Sequence, residues 1–452
     1  MLRGGPGSGK TILGEHFLTA SEDDTSLFVS LEESAANLRA NAESVGIDIT
    51  DVHVLDYSPD ADAFAEDGAY DVFAPGDRGQ SLSEGIKDAV DEHEPDRVFV
   101  DPLTRLRQFA PDDSRFYEEV GSFTSYVRNR GATMLFTTQP TTANPDEDLE
   151  FLSDGSIELG EAPKGRTVTV GKLRGSSFQS GAHTVRITDE GFHVYPKLVP
   201  TVQTRTFDDA MQSTGVESFD EMLGGGITPG TVTVVSGSSG VGKSTTATQL
   251  AVAAADRGER AVSYLFEEGT DTFVHRSGSV GMPVERLRED GALKLREVEA
   301  LTVSPDEFAA EVRAEVEERD ANLVVLDGIS GYRMSIRGQE DDLLRELHAL
   351  CRYLRGMGVT TVLLDDVPQV TGDFEPTSER ISYLADNIVF LRYLEYRGEI
   401  RKAAGVLKKR SSDFERTLRE FSIEHDGVRF GDPLTDLRGI LTGTPKWPEK
   451  DG

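Results

Sequence analysis

One octapeptide constrains this chain more than any other stretch: Gly237-Ser238-Ser239-Gly240-Val241-Gly242-Lys243-Ser244. An apolar run, Thr231 to Val235, precedes it, and a helix-forming segment, Thr245 to Leu250, follows. Strand, glycine-rich loop and helix in that order make a phosphate-binding loop. Gly237, Gly240 and Gly242 let backbone N–H groups and the helix N-terminus close around negative charge. Lys243 is placed to reach the β- and γ-phosphates of ATP, and the Ser244 hydroxyl to hold Mg²⁺. A plain glycine turn at a helix start is the competing reading. It is weakened by a second copy, Gly4-Gly5-Pro6-Gly7-Ser8-Gly9-Lys10-Thr11, in which Gly4, Gly7, Gly9, Lys10 and Thr11 take the same places.

The second copy belongs to a longer internal repeat. Glu32-Glu33, after the run Ser26 to Ser30, recurs as Glu267-Glu268 after Ala261 to Phe266. Arg97-Val98-Phe99-Val100-Asp101 recurs as Leu323-Val324-Val325-Leu326-Asp327, and Lys172-Leu173-Arg174 as Lys408-Lys409-Arg410. Four features in one order at nearly constant spacing predict two domains, 1–200 and 201–452. The linking stretch, 197–213, is polar and contains Pro200. In the second half, apolar strands are expected near 231–236, 261–266, 323–327, 359–364 and 388–393. Helices are expected between them, including 305–319 and 342–357. Such alternation is the α/β pattern of a mostly parallel sheet flanked by helices, with the loops and strand ends on one edge.

The two halves are not equally complete. The second has a feeding strand and a lead-in segment, Gly215 to Ile227, whereas Met1-Leu2-Arg3 is all that precedes the first loop. Either the first domain lost a strand or the start of the chain lies further upstream; the second reading is preferred. A weakened first domain is expected. The tail 443–452 has two prolines and no apolar periodicity, and is expected to fray.

A chain of 452 residues with 37% hydrophobic content exceeds what one core serves. It has no apolar run long enough for a membrane span and no signal-peptide pattern. Its one cysteine, Cys351, rules out an internal disulfide framework and fits a reducing cytoplasm. The net charge is −33, and only 12 of the 47 basic residues are lysine. That balance reads as adaptation to high salt, and it disfavours general binding to a nucleic-acid backbone.

Asp101 and Asp327 each end an apolar strand, where a carboxylate beside the loop hydroxyl holds Mg²⁺. Glu32, Glu33, Glu267 and Glu268 follow strands at the same edge, where a carboxylate orients and deprotonates an attacking water or hydroxyl. Two neighbouring carboxylates facing one site would raise each other's pKa. Lys172 with Arg174, and Lys408 with Arg410, are expected on one face of a late strand. Far in sequence from their own loop, they suit a finger that reaches the γ-phosphate of a neighbouring subunit.

In these features the chain resembles the KaiC branch of the RecA-like ATPases, with two tandem domains over nearly its whole length. Phe219-Asp220, Leu223 to Gly226, the paired loops, the Glu pairs and the Lys-x-Arg repeats carry the resemblance. Ile381 to Asp386, leading to Arg397-Gly398-Glu399, is similar to that family's phosphorylated segment. The resemblance implies a homo-hexameric double ring with ATP between subunits, slow hydrolysis in the first ring and autokinase activity in the second. It makes Ser382 the phosphoacceptor, with Thr377 a nearby hydroxyl and Glu267 the base. The family's adjacent Ser-Thr pair stands here as Ser382-Tyr383, and little chain follows Arg438 to Leu441. The signalling partner is unidentified, and no residue implies a circadian role. A RecA- or RadA-like recombination motor and a non-catalytic nucleotide-binding scaffold are the alternatives. The charge of −33 stands against the motor, as does the lack of a basic, aromatic stretch.

Overall fold

The chain divides into two units, Met1–Lys197 and Leu198–Gly452. The computed structural model describes residues 1–59, 82–139, 146–162, 165–199, 210–336, 340–367, 377, 381–396 and 398–435. Arg397, the segment 438–441 and the tail 443–452 lie outside the described residues, as do positions 200–209 of the linking stretch.

The first unit holds β1 (Leu2–Gly4), β2 (Ser26–Ser30), β3 (His53–Asp56), β4 (Arg97–Asp101) and β5 (Thr133–Thr138). It continues with β6 (Gly155–Ala162), β7 (Gly165–Leu173), β8 (His183–Thr188) and β9 (Gly191–Tyr195). These form one sheet in the order β3-β2-β4-β5-β1-β6-β7-β8-β9. The second unit holds β10 (Val232–Gly237), β11 (Arg260–Leu265), β12 (Leu293–Glu297), β13 (Ala321–Asp327) and β14 (Thr360–Asp366). Its last strands are β15 (Asn387–Tyr396), β16 (Glu399–Lys409), β17 (Arg419–Glu424) and β18 (Gly427–Pro433). The order is β12-β11-β13-β14-β10-β15-β16-β17-β18, the same topology strand for strand. Both are tandem RecA-like α/β sheets.

Six strands of each sheet run parallel; the last three continue it antiparallel. The parallel strands are continuous apolar runs because helices cover both faces. Val324, Val325 and Leu326 are buried, as are Phe28, Val29 and Phe99. The helix Pro305–Glu317 begins where the sequence places it, on a reciprocal cap: Glu307 N–H donates to Ser304 Oγ (3.2 Å), and Ser304 N–H to Glu307 Oε2 (2.6 Å). The other expected helix spans Glu340–Gly356.

Edge strand β12 is absent from the sequence reading, and its composition explains why. Lys294 and Arg296 alternate with its leucines and pair with Glu315 (2.6 Å) and Glu311 (2.9 Å) on the helix Pro305–Glu317. β1 has three residues against six in β10, yet it pairs with both β5 and β6, and Leu2 is fully buried. The lead-in segment of the second unit folds as a short helix, Glu217–Met222, with Phe219 stacked on Phe430 of β18 at 4.2 Å. Cys351 is buried in the core, and burial pushes its thiol up to about 12, the behaviour of a small apolar side chain. Among the described residues, no helix is long and apolar enough to cross a membrane.

Candidate active sites

Each glycine-rich loop joins the C-terminal end of a central strand to a helix, Lys10–Leu18 or Lys243–Asp256. Gly9 (φ 94°) and Gly242 (φ 121°) sit in the left-handed region just before those helices, where a side chain is strained. The Thr11 hydroxyl donates to Asp101 Oδ2 at 2.6 Å, and the Ser244 hydroxyl to Asp327 Oδ1 at 2.9 Å. Burial pushes the Asp327 carboxyl up to about 6, against the pull of Ser244. In both units a hydroxyl and a carboxylate thus converge beside the loop, a hard-oxygen pair suited to Mg²⁺. No cluster of three His, Cys, Asp or Glu side chains among the described residues could hold an ion alone, so phosphate oxygens would complete the set.

The loop lysines differ. Lys10 Nζ donates to the carbonyls of Gly4 and Gly5, both at 2.9 Å. Lys243 Nζ donates to the Ser238 carbonyl at 3.1 Å and to Asp366 Oδ1 at 2.5 Å. In the first unit Lys10, Thr11, Glu32, Glu33 and Asp101 line an open cleft of about 580 Å³, a volume suited to a nucleotide. Ser8 Oγ is buried there without a hydrogen-bond partner.

The Glu pairs reach the expected edge, but the two members part company. Glu267 Oε1 accepts from Gly331 N–H at 3.1 Å; burial raises its pKa, and Asp366 adds to the rise. Glu268 turns to Arg276, which holds it with Nε at 3.1 Å and Nη2 at 2.9 Å. The expected mutual effect of the pair is therefore not the cause of Glu267's shift. In the first unit Glu32 meets Gln139 Nε2 at 3.4 Å, and Glu33 accepts from Asn41 at 3.1 Å.

The late-strand cations are placed differently from the expectation of one strand face. Lys172 and Lys408 lie on β7 and β16, but Arg174 and Arg410 fall just past the strand ends. Lys172 Nζ caps the carbonyls of Glu150 (2.8 Å) and Ser153 (2.7 Å), and Lys408 Nζ those of Ser382 (2.9 Å) and Ala385 (2.7 Å). Arg174 meets Asp154 at 3.2 Å, and Arg410 meets Asp386 at 3.4 Å. Register places them at the far end of the sheet from their own loops. Lys408 is opposite Ile388, which lies beside Val234 early in β10, whereas the loop leaves β10 at Gly237. Ser382 and Tyr383 are exposed, and Thr377 is buried.

Sequence reasoning missed four side chains at these sites. Lys402 Nζ, on β16, lies 3.4 Å from the Gly240 carbonyl, and Arg166 lines the first cleft. Their signal was a cation just past a hairpin turn, on β7 after β6 and on β16 after β15. Asp366 ends β14, and Glu15 is buried in the loop helix of the first unit. A carboxylate on an apolar helix face was the signal for Glu15.

The family profile described as "ATPase: KaiC" matches residues 1–199 and again 212–435. The circadian clock oscillator protein KaiC of Acaryochloris marina is 27% identical over 98% of this chain and 87% of its own length. The same figures hold for the circadian clock oscillator protein KaiC of Synechococcus elongatus and for KaiC 1 of Synechocystis.

Proposed function

Because the chain belongs to the KaiC family of ATPases, we propose that it binds ATP with Mg²⁺ at both loops and hydrolyses it between the subunits of a cytoplasmic homo-hexameric ring in signal transduction. The observation that carries the interfacial reading is the position of Lys408 and Arg410 at the opposite end of the sheet from Gly237–Ser244. From Lys402, which touches the loop, to Lys408 is about six residues of strand, roughly 20 Å. Arg410 therefore has no path to its own nucleotide and suits a neighbour's.

Lys243 and the loop N–H groups hold the phosphates, and Ser244 with Asp327 would hold Mg²⁺. The metal supplies charge neutralisation on the phosphates when bound. Glu267 accepts the proton of the attacking oxygen; its raised pKa brings its basicity closer to neutral pH. Glu268, neutralised by Arg276, positions rather than reacts. Ser382 precedes β15 and so stands at the same far end as Lys408. As an autokinase acceptor it would meet the Glu267 of a neighbour, not its own.

Complementation tests the ring. Lys243→Ala and Arg410→Ala chains, each inactive at the second site alone, should recover ATP hydrolysis when mixed. A mixture as inactive as its parts would remove the shared site. Incubation with labelled ATP tests the kinase: Ser382→Ala should lose the label, and equal labelling of both proteins removes Ser382 as the acceptor.

A further inference from the structure

The two loops face different residues at one equivalent position. β5 and β14 each lie beside the strand that feeds a loop. Arg3, just before Gly4, pairs with Thr138, and Ser236, just before Gly237, pairs with Asp365. The next residue at the strand end is Gln139 in the first unit and Asp366 in the second. Both face the first Glu of the pair: Gln139 donates to Glu32 at 3.4 Å, and Asp366 raises the pKa of Glu267.

The consequence falls on the loop lysine. Among the described residues, the Lys10 ammonium donates its hydrogen bonds to neutral backbone carbonyls, those of Gly4 and Gly5. Lys243 is paired with the Asp366 carboxylate at 2.5 Å, with the lysine side chain 8% and the aspartate 26% exposed. A charge-assisted bond out of water is stronger than its surface equivalent. The ammonium that should meet phosphate oxygens already has an anion.

We propose that Asp366 is an affinity-determining residue of the second site: its carboxylate takes the place of a phosphate oxygen on Lys243, and ATP binds only by displacing or sharing that partner. The proposal rests on the reading of both loops as ATP sites. If Lys243 leaves, Asp366 is stranded beside the polyphosphate. If Lys243 bridges the two, one cation is divided between two anions. Either way Asp366 sets beside Lys243 a negative charge that Gln139 does not set beside Lys10, and it weakens ATP binding at the second site. Gln139 imposes no such competition.

A fluorescent ATP analogue with Mg²⁺, titrated into full-length chains, measures each site separately. In a Lys10→Ala background only the second loop reports, and Asp366→Asn should tighten binding on the order of tenfold, less at high salt. In a Lys243→Ala background only the first loop reports, and Gln139→Asp should weaken binding by a comparable factor. Asp366→Gln, which carries the first site's own residue to the second, repeats the test should the asparagine variant fold poorly. Analogue bound with affinity unchanged or weakened by Asp366→Asn and Asp366→Gln overturns the role of Asp366 while leaving both loops as ATP sites. An unaltered chain that binds no analogue at either loop overturns the functional reading and this inference together.

Discussion

Two sites with one backbone topology differ in nearly every polar contact that surrounds their loops. In the first, Lys10 rests on carbonyls, Glu33 on the neutral Asn41, and Glu32 on Gln139. In the second, Lys243 rests on Asp366 and Glu268 on Arg276. The helix behind each loop differs as well. Thr248 in the second unit donates to the Ser244 carbonyl at 2.7 Å, while its counterpart Glu15 is 1% exposed and leaves Oε1 without a partner. The apolar strands fix where the loop, the Glu pair and the strand-end Asp meet. Charges at the strand ends and helix faces then set what each site does, and these have diverged while the strand order has not.

The largest expected effect separates the two glutamates. Glu267→Gln should lower ATP turnover at the second site by roughly 10²- to 10⁴-fold, the usual loss of a general base. Glu268→Gln should cost less in turnover, since that carboxylate is engaged by Arg276, and should act partly by freeing the arginine. Burial raises the Glu267 pKa. As a base it must be ionised, so turnover should fall as pH drops through a range above that of an ordinary glutamate. Steady-state rates from pH 5 to 8 in a Lys10→Ala background measure both. A larger loss in Glu268→Gln than in Glu267→Gln would reverse the assignment.

That division of labour was not legible in the sequence, although the pair itself was. Glycine loops, strand-end aspartates and continuous apolar runs are local signals, and they place the two sheets, both loops and the meetings of Thr11 with Asp101 and Ser244 with Asp327. Which glutamate turns to the site depends on side-chain and backbone partners that no local motif marks: Arg276 on the next helix and the more distant Gly331 after β13. The same holds for Asp366. Asp365-Asp366 reads as an unremarkable strand end until β14 is placed beside β10, and only then does a carboxylate meet the loop lysine. β12 and the antiparallel strands β16 to β18 are half-polar, with alternating charges that make surface ion pairs, so they lack the apolar run that marks the central strands.

A smaller effect follows from the buried carboxyl. Burial, with Glu33 and Asp101 adding to it, raises Glu15 from 4.5 to about 8. A raised folded-state pKa means that the native unit holds this proton more tightly than the unfolded chain. Its stabilising contribution is complete below pH 4.5 and is lost as pH rises through about 8. Glu15→Gln should abolish that loss and stabilise the first unit above pH 8 by on the order of 5 kcal/mol. Hydrogen-exchange protection in β2 and β4, compared at pH 6 and pH 9, reads it without interference from the second unit. Equal pH dependence in the two proteins would mean that Glu15 is not the group responsible.

The smallest effect concerns how two cores of different shape support the same loop. A Cβ on Gly14 would lie 2.0 Å from Cζ of Phe99. Counting from the loop lysines and the strand-end aspartates, the same two positions in the second unit are Ala247 and Val325, both buried in one cluster. Large strand residue with glycine, or smaller strand residue with alanine, fills the same space between β-sheet and loop helix. Gly14→Ala alone overpacks it and should destabilise the first unit by about 1–3 kcal/mol. Phe99→Val alone should leave a cavity at a similar cost. Together they recreate the second unit's pairing, and the double variant should be more stable than the sum of the single costs predicts, by about 1 kcal/mol or more. Denaturant unfolding of the four proteins closes the cycle. Strict additivity would show that the two cores are not alternative solutions to one packing problem, and that the units diverged in backbone position at the loop helix as well as in charge.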